Sequence, residues 1–327
     1  MNILMCSVGR RGELIKNFKS SLSEGSKIVA TDLSPYAPAL YLADKQYLVP
    51  RIDDPAYIDT VCDICRKENI NALATFIDPE IEILANNRER FEEIGVEVLV
   101  PYSETARLCF DKYLMFKYLK SKGIPTVMTW GSLEEFDAEY KENKVNFPVF
   151  VKPRTGSGSV GAREIINYES LKKVMDEDTS LIIQELMDCE DLDADVYIDT
   201  ITHEAVSVFS KRKIESRIGG ASKTISFKDE KLYHFITEIV KQFKFNGPVD
   251  MDFFYKEGQY YLSEVNPRFG GAYLHAYGAG IDFIRLIENN VKGNSNTPEF
   301  GTYDEGVVMM MYDSVVIKRA GELVSDE

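Results

Sequence analysis

The chain has 327 residues, 44% of them apolar, and a formal net charge of −15. This length suffices for two or three compact units, and the acidic balance argues against a nucleic-acid partner, whose phosphates require a basic face. No apolar run approaches the ~20 residues that span a bilayer, the amino terminus matches a strand better than a signal peptide, and five scattered cysteines fit a reducing cytoplasm. We therefore expect a cytoplasmic α/β protein that binds neither nucleic acid nor membrane.

Residues 1–102 alternate short apolar strands with amphipathic helices, the pattern of a Rossmann-like, doubly wound unit. The pattern predicts strands at 2–8, 26–32, 72–76 and 97–100 and helices at 12–22, 57–68 and 79–94. Cys62 and Cys65 form a CxxC on one of these helices. Because no second pair and no nearby histidine accompany them, we expect core thiols and not a redox or zinc site.

The turn after the first strand reads Gly9-Arg10-Arg11-Gly12, at the position where Rossmann folds hold phosphate. It lacks the third glycine of the dinucleotide fingerprint, and Asp32 alone is weak support for such a site. A substrate-facing loop or a plain turn is the better interpretation. In the first case the arginines would hold a substrate carboxylate.

Residues 103–185 form a second predicted unit, with helices at 107–121, 133–142 and 170–175 and strands at 147–152, 162–167 and 181–185. Between the first two strands, Gly156, Gly158 and Gly161 match GxGxxG literally. A Rossmann site requires a helix to begin inside that motif, whereas a strand follows here. A protein-kinase site fails because neither HRD nor DFG follows. The loop therefore indicates a flap that closes over phosphates, with a flexible hairpin tip as the alternative.

The stretch Gln184-Glu185-Leu186-Met187 ends a strand and leads into the acidic residues 188–195. Linker backbone of this kind can pair with an adenine edge, and a carboxylate a few residues later can accept ribose hydroxyls. A solvated acidic loop is an equally good interpretation of the same stretch.

Residues 186–327 contain a predicted hairpin of strands 250–255 and 259–265, closed near Glu257-Gly258. Side chains alternate along a strand, so Glu264 and Asn266 project to the same face. A three-residue turn would place Asp252 directly across from Glu264. We also expect two short strands within 307–318.

The second strand of this hairpin must end at Pro267, which cannot donate to a ladder, and we expect Arg268 to swing out beyond it. Two carboxylates, an amide oxygen and a guanidinium that converge in this way suit Mg²⁺ bridging phosphate oxygens. The alternative is a surface hairpin with solvated acids.

Taken in this order, the elements resemble the ATP-grasp superfamily, and most closely the carbamoyl-phosphate-synthetase-like branch of carboxylate–amine ligases. The motifs that carry the resemblance are Asp111-Lys112, the segment 148–153 (Pro-Val-Phe-Val-Lys-Pro) with its glycine flap, and 264–268 (Glu-Val-Asn-Pro-Arg). The resemblance covers nearly the whole chain. It implies a Rossmann-like pre-ATP-grasp domain at 1–102 and a two-subdomain ATP-grasp fold, α+β in character, at 103–185 and 186–327.

The resemblance also implies roles for individual residues. Lys112 and Lys152 would contact the ATP phosphates, and Arg268 would hold the transferring phosphate. Arg217 would lie in the substrate-facing loop, and Asp191 would be the ribose carboxylate, although an Asp replaces the family's Glu there. The flap over the phosphates would comprise Gly156, Ser157, Gly158, Ser159 and Val160. The adenine hinge would comprise Gln184, Glu185, Leu186 and Met187, with Glu185 the main base contact. The metal ligands would be Asp252, Glu264 and Asn266.

By resemblance, the cofactors are ATP and Mg²⁺, two ions per site, with Mn²⁺ as an alternative. The expected function is ADP-forming activation of a small-molecule carboxylate as an acyl phosphate, followed by attack of an amine, and a homodimer fits. A carbamoyl-phosphate-synthetase-type subunit acting on bicarbonate and a non-catalytic ATP-binding module are the competing functions. Lys211 and Lys213 are candidates to face substrate, or parts of an exposed cationic strand. His275 is expected to be a core or substrate-wall histidine before a catalytic base.

Overall fold

The computed structural model describes residues 1–156, 161–217 and 220–325. Residues 1–102 form a parallel five-stranded sheet in the order β3-β2-β1-β4-β5, with helices on both faces, as the doubly wound pattern predicted. Its elements are β1 (Asn2–Cys6), α1 (Gly12–Ser21), β2 (Lys27–Asp32), a 3₁₀ turn (Pro38–Leu42), β3 (Lys45–Leu48), α2 (Tyr57–Glu68), β4 (Ala72–Thr75), α3 (Asp78–Asn86), α4 (Arg88–Glu92) and β5 (Glu97–Val98).

Two features of this sheet differ from the sequence prediction. The helix expected at 79–94 is broken at Asn87, whose side-chain amide donates to the carbonyl of Ile83 and competes with the helical backbone pattern. The break lets the buried guanidinium of Arg88 donate to the carbonyl of Val98 at 3.1 Å. The edge strand β3 and the 3₁₀ turn before it were not predicted.

A smaller antiparallel sheet follows, in the order β6-β9-β7-β8. The elements of this part are α5 (Ser103–Phe110), α6 (Lys112–Ser121), β6 (Thr129–Trp130), α7 (Leu133–Tyr140), β7 (Val149–Pro153), β8 (Arg163–Ile165), α8 (Tyr168–Glu177) and β9 (Leu181–Glu185). The single helix predicted at 107–121 is two helices, because Asp111 takes an extended conformation and caps α6. Its carboxylate accepts from the backbone N–H groups of Tyr113 (3.1 Å) and Leu114 (2.9 Å).

The remaining residues form a seven-stranded sheet in the order β14-β13-β10-β11-β12-β16, with β15 beside β11. Its elements are β10 (Glu190–Ile198), β11 (Ala205–Arg217), β12 (Gly220–Ser226), α9 (Glu230–Val240), β13 (Gly247–Lys256), β14 (Gln259–Asn266), α10 (Leu274–Gly278), α11 (Phe283–Val291), β15 (Glu299–Phe300) and β16 (Val308–Met310). Only one of the two strands expected within 307–318 forms, since no regular structure follows Met310 until a 3₁₀ turn at Ala320–Glu322.

Hydrophobic contacts join the first and last parts of the chain. One continuous core contains Phe18 of α1, Leu119 of α6, and Phe253 and Val265 of the β13–β14 hairpin. The small sheet has a core of its own, built around Trp130, Phe136 and Val149. The carboxyl ends of the parallel strands therefore face the large sheet across a packed interface.

Candidate active site

The central strands of the large sheet carry a grid of charged side chains on one face. Cα registers place Lys211 beside Asp193, Asp193 beside Asp252, and Asp252 beside Glu264. The next level, two residues along each strand, places Asp195 beside Asp250 and Asp250 beside Asn266. Because alternate residues face the same side, intervening residues such as Leu192 and Ala194 pack into the shared core on the other face.

The pairing of Asp252 with Glu264 agrees with the sequence prediction, but the turn that produces it differs. The hairpin closes through a two-residue turn, Glu257-Gly258, with φ of 52° and 83°. The register then shifts by one residue next to Asp252, where Ser263 forms a β-bulge. The bulge restores the pairing that a three-residue turn would have given.

Two lysines converge on the carboxylate of Glu264. Lys112 Nζ lies 3.7 Å from one carboxylate oxygen and Lys152 Nζ lies 3.9 Å from the other. Lys112 also donates to the carbonyl of Gly156, at the base of the glycine loop. Burial lowers the pKa of Lys152, and Glu264 acts in the opposite direction. Residues from α6, β7 and β14 thus create a site where phosphate oxygens would meet both cations and a carboxylate.

The residues expected to bind metal are an oxygen donor set that suits Mg²⁺. Asp252 and Glu264 lie opposite each other, and the Asn266 amide lies 3.4 Å from a carboxylate oxygen of Asp252. Lys213 pairs with the same Asp252 carboxylate. No three His, Cys, Asp or Glu side chains converge as ligands within the described ranges 1–156, 161–217 and 220–325. Two carboxylates and one amide would hold Mg²⁺ while leaving positions for phosphate oxygens and water, as this ion prefers.

Arg268 does not swing out beyond the strand as expected. Its guanidinium is 13% exposed, and it pairs with Asp78 at 2.9 Å and with Asp250 at 3.6 Å. Burial acts to lower the pKa of Arg268, but Asp78 and Asp250 offset it and leave the pKa raised. Asp78 begins α3 at the carboxyl end of β4, so this contact joins the parallel sheet to the residues that follow β14.

Lys211 is buried, which excludes the exposed cationic strand considered for it from the sequence. Its ammonium is fully buried, pairs with Asp195 and lies 3.1 Å from Asp193. Burial acts to lower the pKa of Lys211, yet Asp193 and Asp195 raise it overall. Burial raises the pKa of Asp195 to about 6, against the opposing effect of Lys211. The sequence offered only alternating acids at 191, 193 and 195 as a sign of this network.

The two arginines of the first turn play different parts. Arg10 is exposed, and its guanidinium pairs with the exposed carboxylate of Asp313 at 3.2 Å. Arg11 instead donates to the carbonyls of Phe269 (3.1 Å) and Gly270 (2.7 Å), directly after Arg268. Burial and the nearby Arg268 lower the pKa of Arg11 to about 10. Arg11 therefore holds the backbone that directly follows β14 and Arg268.

The adenine hinge expected at 184–187 needs one revision. Gln184 pairs with Phe150 in the register, next to Lys152, and its amide donates to Thr129 at 2.9 Å. Glu185 points to the opposite face of the sheet, where its carboxylate accepts from the N–H of Met128 at 2.9 Å. The side chain on the lysine face is thus that of Gln184, whereas the Glu185 side chain points away from that face and leaves only its backbone there.

Asp191 lies in β10 and not in the solvated loop considered for it. Its carboxylate pairs with Lys213 at 2.8 Å and is 44% exposed. Burial raises the pKa of Asp191, and Lys213 opposes that shift. Asp191 therefore lies two residues along β10 from Asp193, the residue paired with Asp252, and on the same face.

Four other predicted site residues are described by the structure, and two of them, Gly156 and Arg217, border ranges outside the described residues. Gly156 has a φ of 98°, a left-handed conformation that favours glycine, and it precedes the flap residues Ser157, Gly158, Ser159 and Val160, which lie outside the described residues. Leu186 and Met187 follow β9; Leu186 is partly exposed and Met187 is buried. Arg217 is exposed at the end of β11, four residues beyond Lys213, a separation of ~13 Å along a strand. The structure does not bring Arg217 to the carboxylate grid.

His275 is a core residue, as expected. It is 2% exposed, and its two ring nitrogens contact Thr224 at 2.7 Å and the carbonyl of Val307 at 3.0 Å. Burial lowers the pKa of His275 to about 4. Cys62 and Cys65 are likewise buried, free thiols on α2, and burial raises the pKa of Cys65 to about 12. Neither group points to a redox or metal site.

Comparison with known families accounts for this geometry. Residues 109–272 match the ATP-grasp domain, and residues 3–99 match the PylC-like, N-terminal domain. The chain belongs to the ATP-grasp family. The ATP-grasp match contains Lys112, Lys152, the glycine loop and the whole of β14, in the order that the resemblance of the sequence had implied.

Curated relatives of the chain are ligases and a formyltransferase. The D-alanine--D-alanine ligase of Clostridium botulinum (strain Langeland) is 26% identical over 257 residues, which is 70% of this chain and 85% of the relative. The formate-dependent phosphoribosylglycinamide formyltransferase of Haloquadratum walsbyi is 24% identical over 262 residues, 75% of this chain and 62% of the relative.

Solved structures share the fold at low identity. N5-carboxyaminoimidazole synthetase from Staphylococcus aureus superposes with a TM-score of 0.74 and 18% identity, over 94% of this chain and 81% of its own. The biotin carboxylase domain dimer of the Hydrogenobacter thermophilus 2-oxoglutarate carboxylase, solved with MgADP and bicarbonate, gives a TM-score of 0.72 at 17% identity, over 94% of this chain and 73% of its own.

The family assignment fixes the general chemistry. The chain is an ATP-dependent, ADP-forming ligase. In the biotin carboxylase domain named above, the bound nucleotide is MgADP. Among the described residues, no helix is both long and apolar enough to cross a membrane.

Proposed function

We propose that this ligase transfers the γ-phosphoryl group of ATP to the carboxylate of a small molecule and then joins the acyl phosphate to an amine. The observation that carries the proposal is the position of Glu264, held between Lys112 and Lys152 and directly across from Asp252. This arrangement places two cations and an oxygen donor set around one point, which suits a transferring phosphoryl group.

The residues divide between nucleotide and metal. Lys112 and Lys152 would bind the phosphates, and the loop from Gly156 would close over them. Gln184 and the backbone to Met187 would contact the adenine, and Asp191 the ribose. Asp252, Glu264 and Asn266 would hold Mg²⁺, which when bound neutralises phosphate oxygens. Two ions, with Mn²⁺ as a substitute, fit two carboxylates and an amide.

The chemistry then proceeds in two balanced steps. A carboxylate oxygen of the substrate attacks the γ-phosphorus, and the bond from that phosphorus to the bridging oxygen breaks to release ADP. The amine nitrogen next attacks the acyl carbon, inorganic phosphate leaves, and the nitrogen loses a proton. Arg268, aimed by Asp78 and Asp250, would stabilise the charge on the phosphoryl oxygens in the first step. Its ion pair with Asp78 supports a contribution of the first sheet to the substrate site.

A bicarbonate-type acid is the second candidate for the carboxylate. The likeness to a synthetase of N5-carboxyaminoimidazole and to a biotin carboxylase domain favours it. Carbamoyl phosphate chemistry with a partner subunit belongs to the same alternative, and a homodimer in the cytoplasm fits either. ADP release that depends on bicarbonate, with no added organic acid, would distinguish it.

The deciding experiment screens carboxylic acids and bicarbonate pairwise against amines for ADP release. The matched blank is Glu264→Gln, which keeps the side-chain shape but removes a negative oxygen donor. We expect it to lower kcat by about 10²–10³-fold, the scale of losing one electrostatic contact to a transition state, while circular dichroism stays unchanged. The control Glu257→Gln, in the exposed turn of the same hairpin, should retain full activity. Near-normal ADP formation by Glu264→Gln would contradict the assignment.

A further inference from the structure

A second cleft lies at the seam between the small sheet and the large sheet, with a volume of about 480 Å³. Its walls come from α6, the linker 123–128, β6, the connection from α7 to β7, and β14. The side chains that line it include Phe116, Lys120, Trp130, Lys144, Glu185 and Tyr261. This volume lies within the range of pockets that bind small organic ligands.

The cleft is on the opposite face of the small sheet from the phosphate lysines. Trp130 pairs with Ile183 in the register, and Thr129 with Gln184. Since directly opposed residues share a face and successive residues alternate, Trp130, Ile183 and Glu185 point away from the face that carries Gln184 and Lys152. A ligand in the cleft and a nucleotide over Lys152 would therefore occupy different spaces.

The walls are aromatic. Phe116 and Trp130 are 8% and 4% exposed, and the partly buried ring of Tyr261 completes the third side. Ile124, Pro125, Met128 and Val145 fill the intervening surface. Rings arranged in this way bind flat ligands through stacking and edge contacts.

Two hydrogen-bond donors that line the cleft, on Trp130 and Lys120, have no acceptor or ion-pair partner within the described residues. The indole Nε1–H of Trp130 is buried and has no acceptor within the described part of the chain. Lys120, whose Nζ lies 5.4 Å from the Phe116 ring centroid, has no ion-pair partner among the same residues. Lys144 on the rim pairs with Glu142, and the Glu185 carboxylate already accepts from Met128. Both unpaired groups donate hydrogen bonds, so a ligand that fits them must supply an acceptor.

We propose that this cleft is a second ligand site, for a small aromatic molecule that carries an anionic acceptor group such as a carboxylate or sulfonate. The ring would lie between Phe116, Trp130 and Tyr261, and the acceptor group would take the Trp130 N–H and the Lys120 ammonium. The site is distinct from the proposed ligase chemistry and can be tested by binding alone.

The linker beneath the cleft connects the proposed ligand to both sheets. Leu262 donates to the carbonyl of Pro125 at 3.0 Å, and its own carbonyl accepts from the Thr126 hydroxyl at 2.8 Å. Leu262 lies two residues before Glu264 on β14. On the other side, Met128 exchanges hydrogen bonds with Glu185, next to Gln184. A ligand that fixes this linker fixes the spacing of the two sheets, so its affinity is coupled to that of MgATP and the coupling is reciprocal.

The test uses 1-anilinonaphthalene-8-sulfonate as an aromatic anion and the whole chain. Trp130 is the one tryptophan in the sequence, so quenching of its emission reports the complex. We expect one saturable site. As MgATP is raised, the apparent Kd should move to a plateau, because two coupled sites allow only a limited change. A Kd that rises in proportion to MgATP without limit would place the dye in the nucleotide site and overturn the proposal.

Variants locate the dye. Lys120→Glu reverses the charge on an exposed residue of α6 and should weaken binding on the order of fivefold or more, the effect of about 1 kcal/mol. Trp130→Phe keeps a ring but removes the donor, and it should weaken binding measured by dye emission. The control Lys117→Glu, on the same helix but outside the cleft, should bind as the parent does. Equal affinities of Lys120→Glu and Lys117→Glu for the dye would overturn the proposal. The neutral analogue N-phenyl-1-naphthylamine gives a second test. The proposal is also overturned if the parent binds this analogue as tightly as the sulfonate and Lys120→Glu binds it as tightly as the parent does.

Discussion

Lys211 is a single buried cation that stabilises the buried carboxylates of Asp193 and Asp195 on the large sheet. Its ammonium lies between Asp193 and Asp195 with no exposure to solvent. Lys211→Met keeps the length of the side chain but leaves two buried carboxylates without their cation. We expect the free energy of unfolding to fall by about 3–5 kcal/mol, as when one partner of a buried ion pair is removed. Urea denaturation at pH 7 measures the loss.

The matched control for this change is Lys223→Met. Lys223 pairs with Glu215 at 2.7 Å, but both side chains are about half exposed. The expected loss is about 0–1 kcal/mol. Equal losses for the two variants would mean that Lys211 does not compensate the buried acids.

His275 predicts a component of stability that depends on pH. Burial lowers its pKa to about 4 in the folded protein, whereas an exposed histidine has a pKa of about 6.5. Below about 6.5 the unfolded chain takes up a proton that the folded chain does not, so the free energy of unfolding falls as pH drops towards 4. The slope from one such group is at most about 1.4 kcal/mol per pH unit.

Asp195 works in the opposite direction over much of the same range. Its folded pKa, about 6, lies above the usual carboxyl value, so the stability it contributes at low pH is lost as pH rises through 6.

The difference between the parent and His275→Gln, measured by urea denaturation from pH 4 to 7, isolates the histidine. The parent should lose more stability than the variant on acidification; parallel curves would contradict the neutral, buried histidine.

At this scale the sequence identified the residues whose spacing along one element determines their position. Glu264, Asn266 and Lys152 are such residues, because strand alternation and the end of a strand are local properties. The burial of Lys211 and the inward turn of Arg11 depend on neighbours more than a hundred residues away in some cases, as in the contact of Arg11 with Gly270. No local pattern carries that information.

Among the elements, the hairpin that carries Asp252, Glu264 and Asn266 contains an unfavourable turn residue. Glu257 has a φ of 52° in a two-residue turn, where asparagine followed by glycine is preferred. Glu257→Asn should therefore raise the free energy of unfolding by about 0.5 kcal/mol, because an L-residue other than asparagine or glycine pays ~1–2 kcal/mol in this conformation. Chemical denaturation measures the gain, and kcat should not change.

Gly258 provides the reverse test of the same turn. Its φ of 83° is strained for any residue with a Cβ, so Gly258→Ala should lower stability. If Glu257→Asn and Gly258→Ala change stability in the same direction, the turn does not have this conformation.

The two helices that were predicted as single elements but are each broken in two share one origin of error. Both helices that were predicted too long contain a polar residue that ends one helix and begins the next, Asn87 in one and Asp111 in the other. Hydrophobic periodicity continues across each break, so the pattern alone does not reveal it. The break at Asp111 matters for the site, because it makes Lys112 the first residue of α6 and directs it towards Glu264.

For the whole molecule, the distribution of cores predicts two cooperative units. Sequence patterns divided the chain at 102 and 185, yet α5 and α6 pack into the core shared by the parallel sheet and the large sheet. The small sheet has a separate core within residues 128–183. Boundaries placed by composition miss this, because shared burial between distant segments leaves no local signal.

Hydrogen exchange can test this division with two equivalent cavities. Phe136 and Phe18 are both fully buried, the first in the core of the small sheet and the second in the shared core, where its ring meets Phe269 edge-on at 5.4 Å. Each change to alanine should cost about 3–5 kcal/mol. Phe136→Ala should accelerate exchange in the described amides between 128 and 183 and leave β1 and β13 protected. Phe18→Ala should accelerate β1 and β13 together, because one core supports both, while exchange in the small sheet stays slow. If Phe18→Ala exposes β1 alone, the parallel sheet and the large sheet unfold independently and the ion pair of Asp78 with Arg268 is a contact between separate domains.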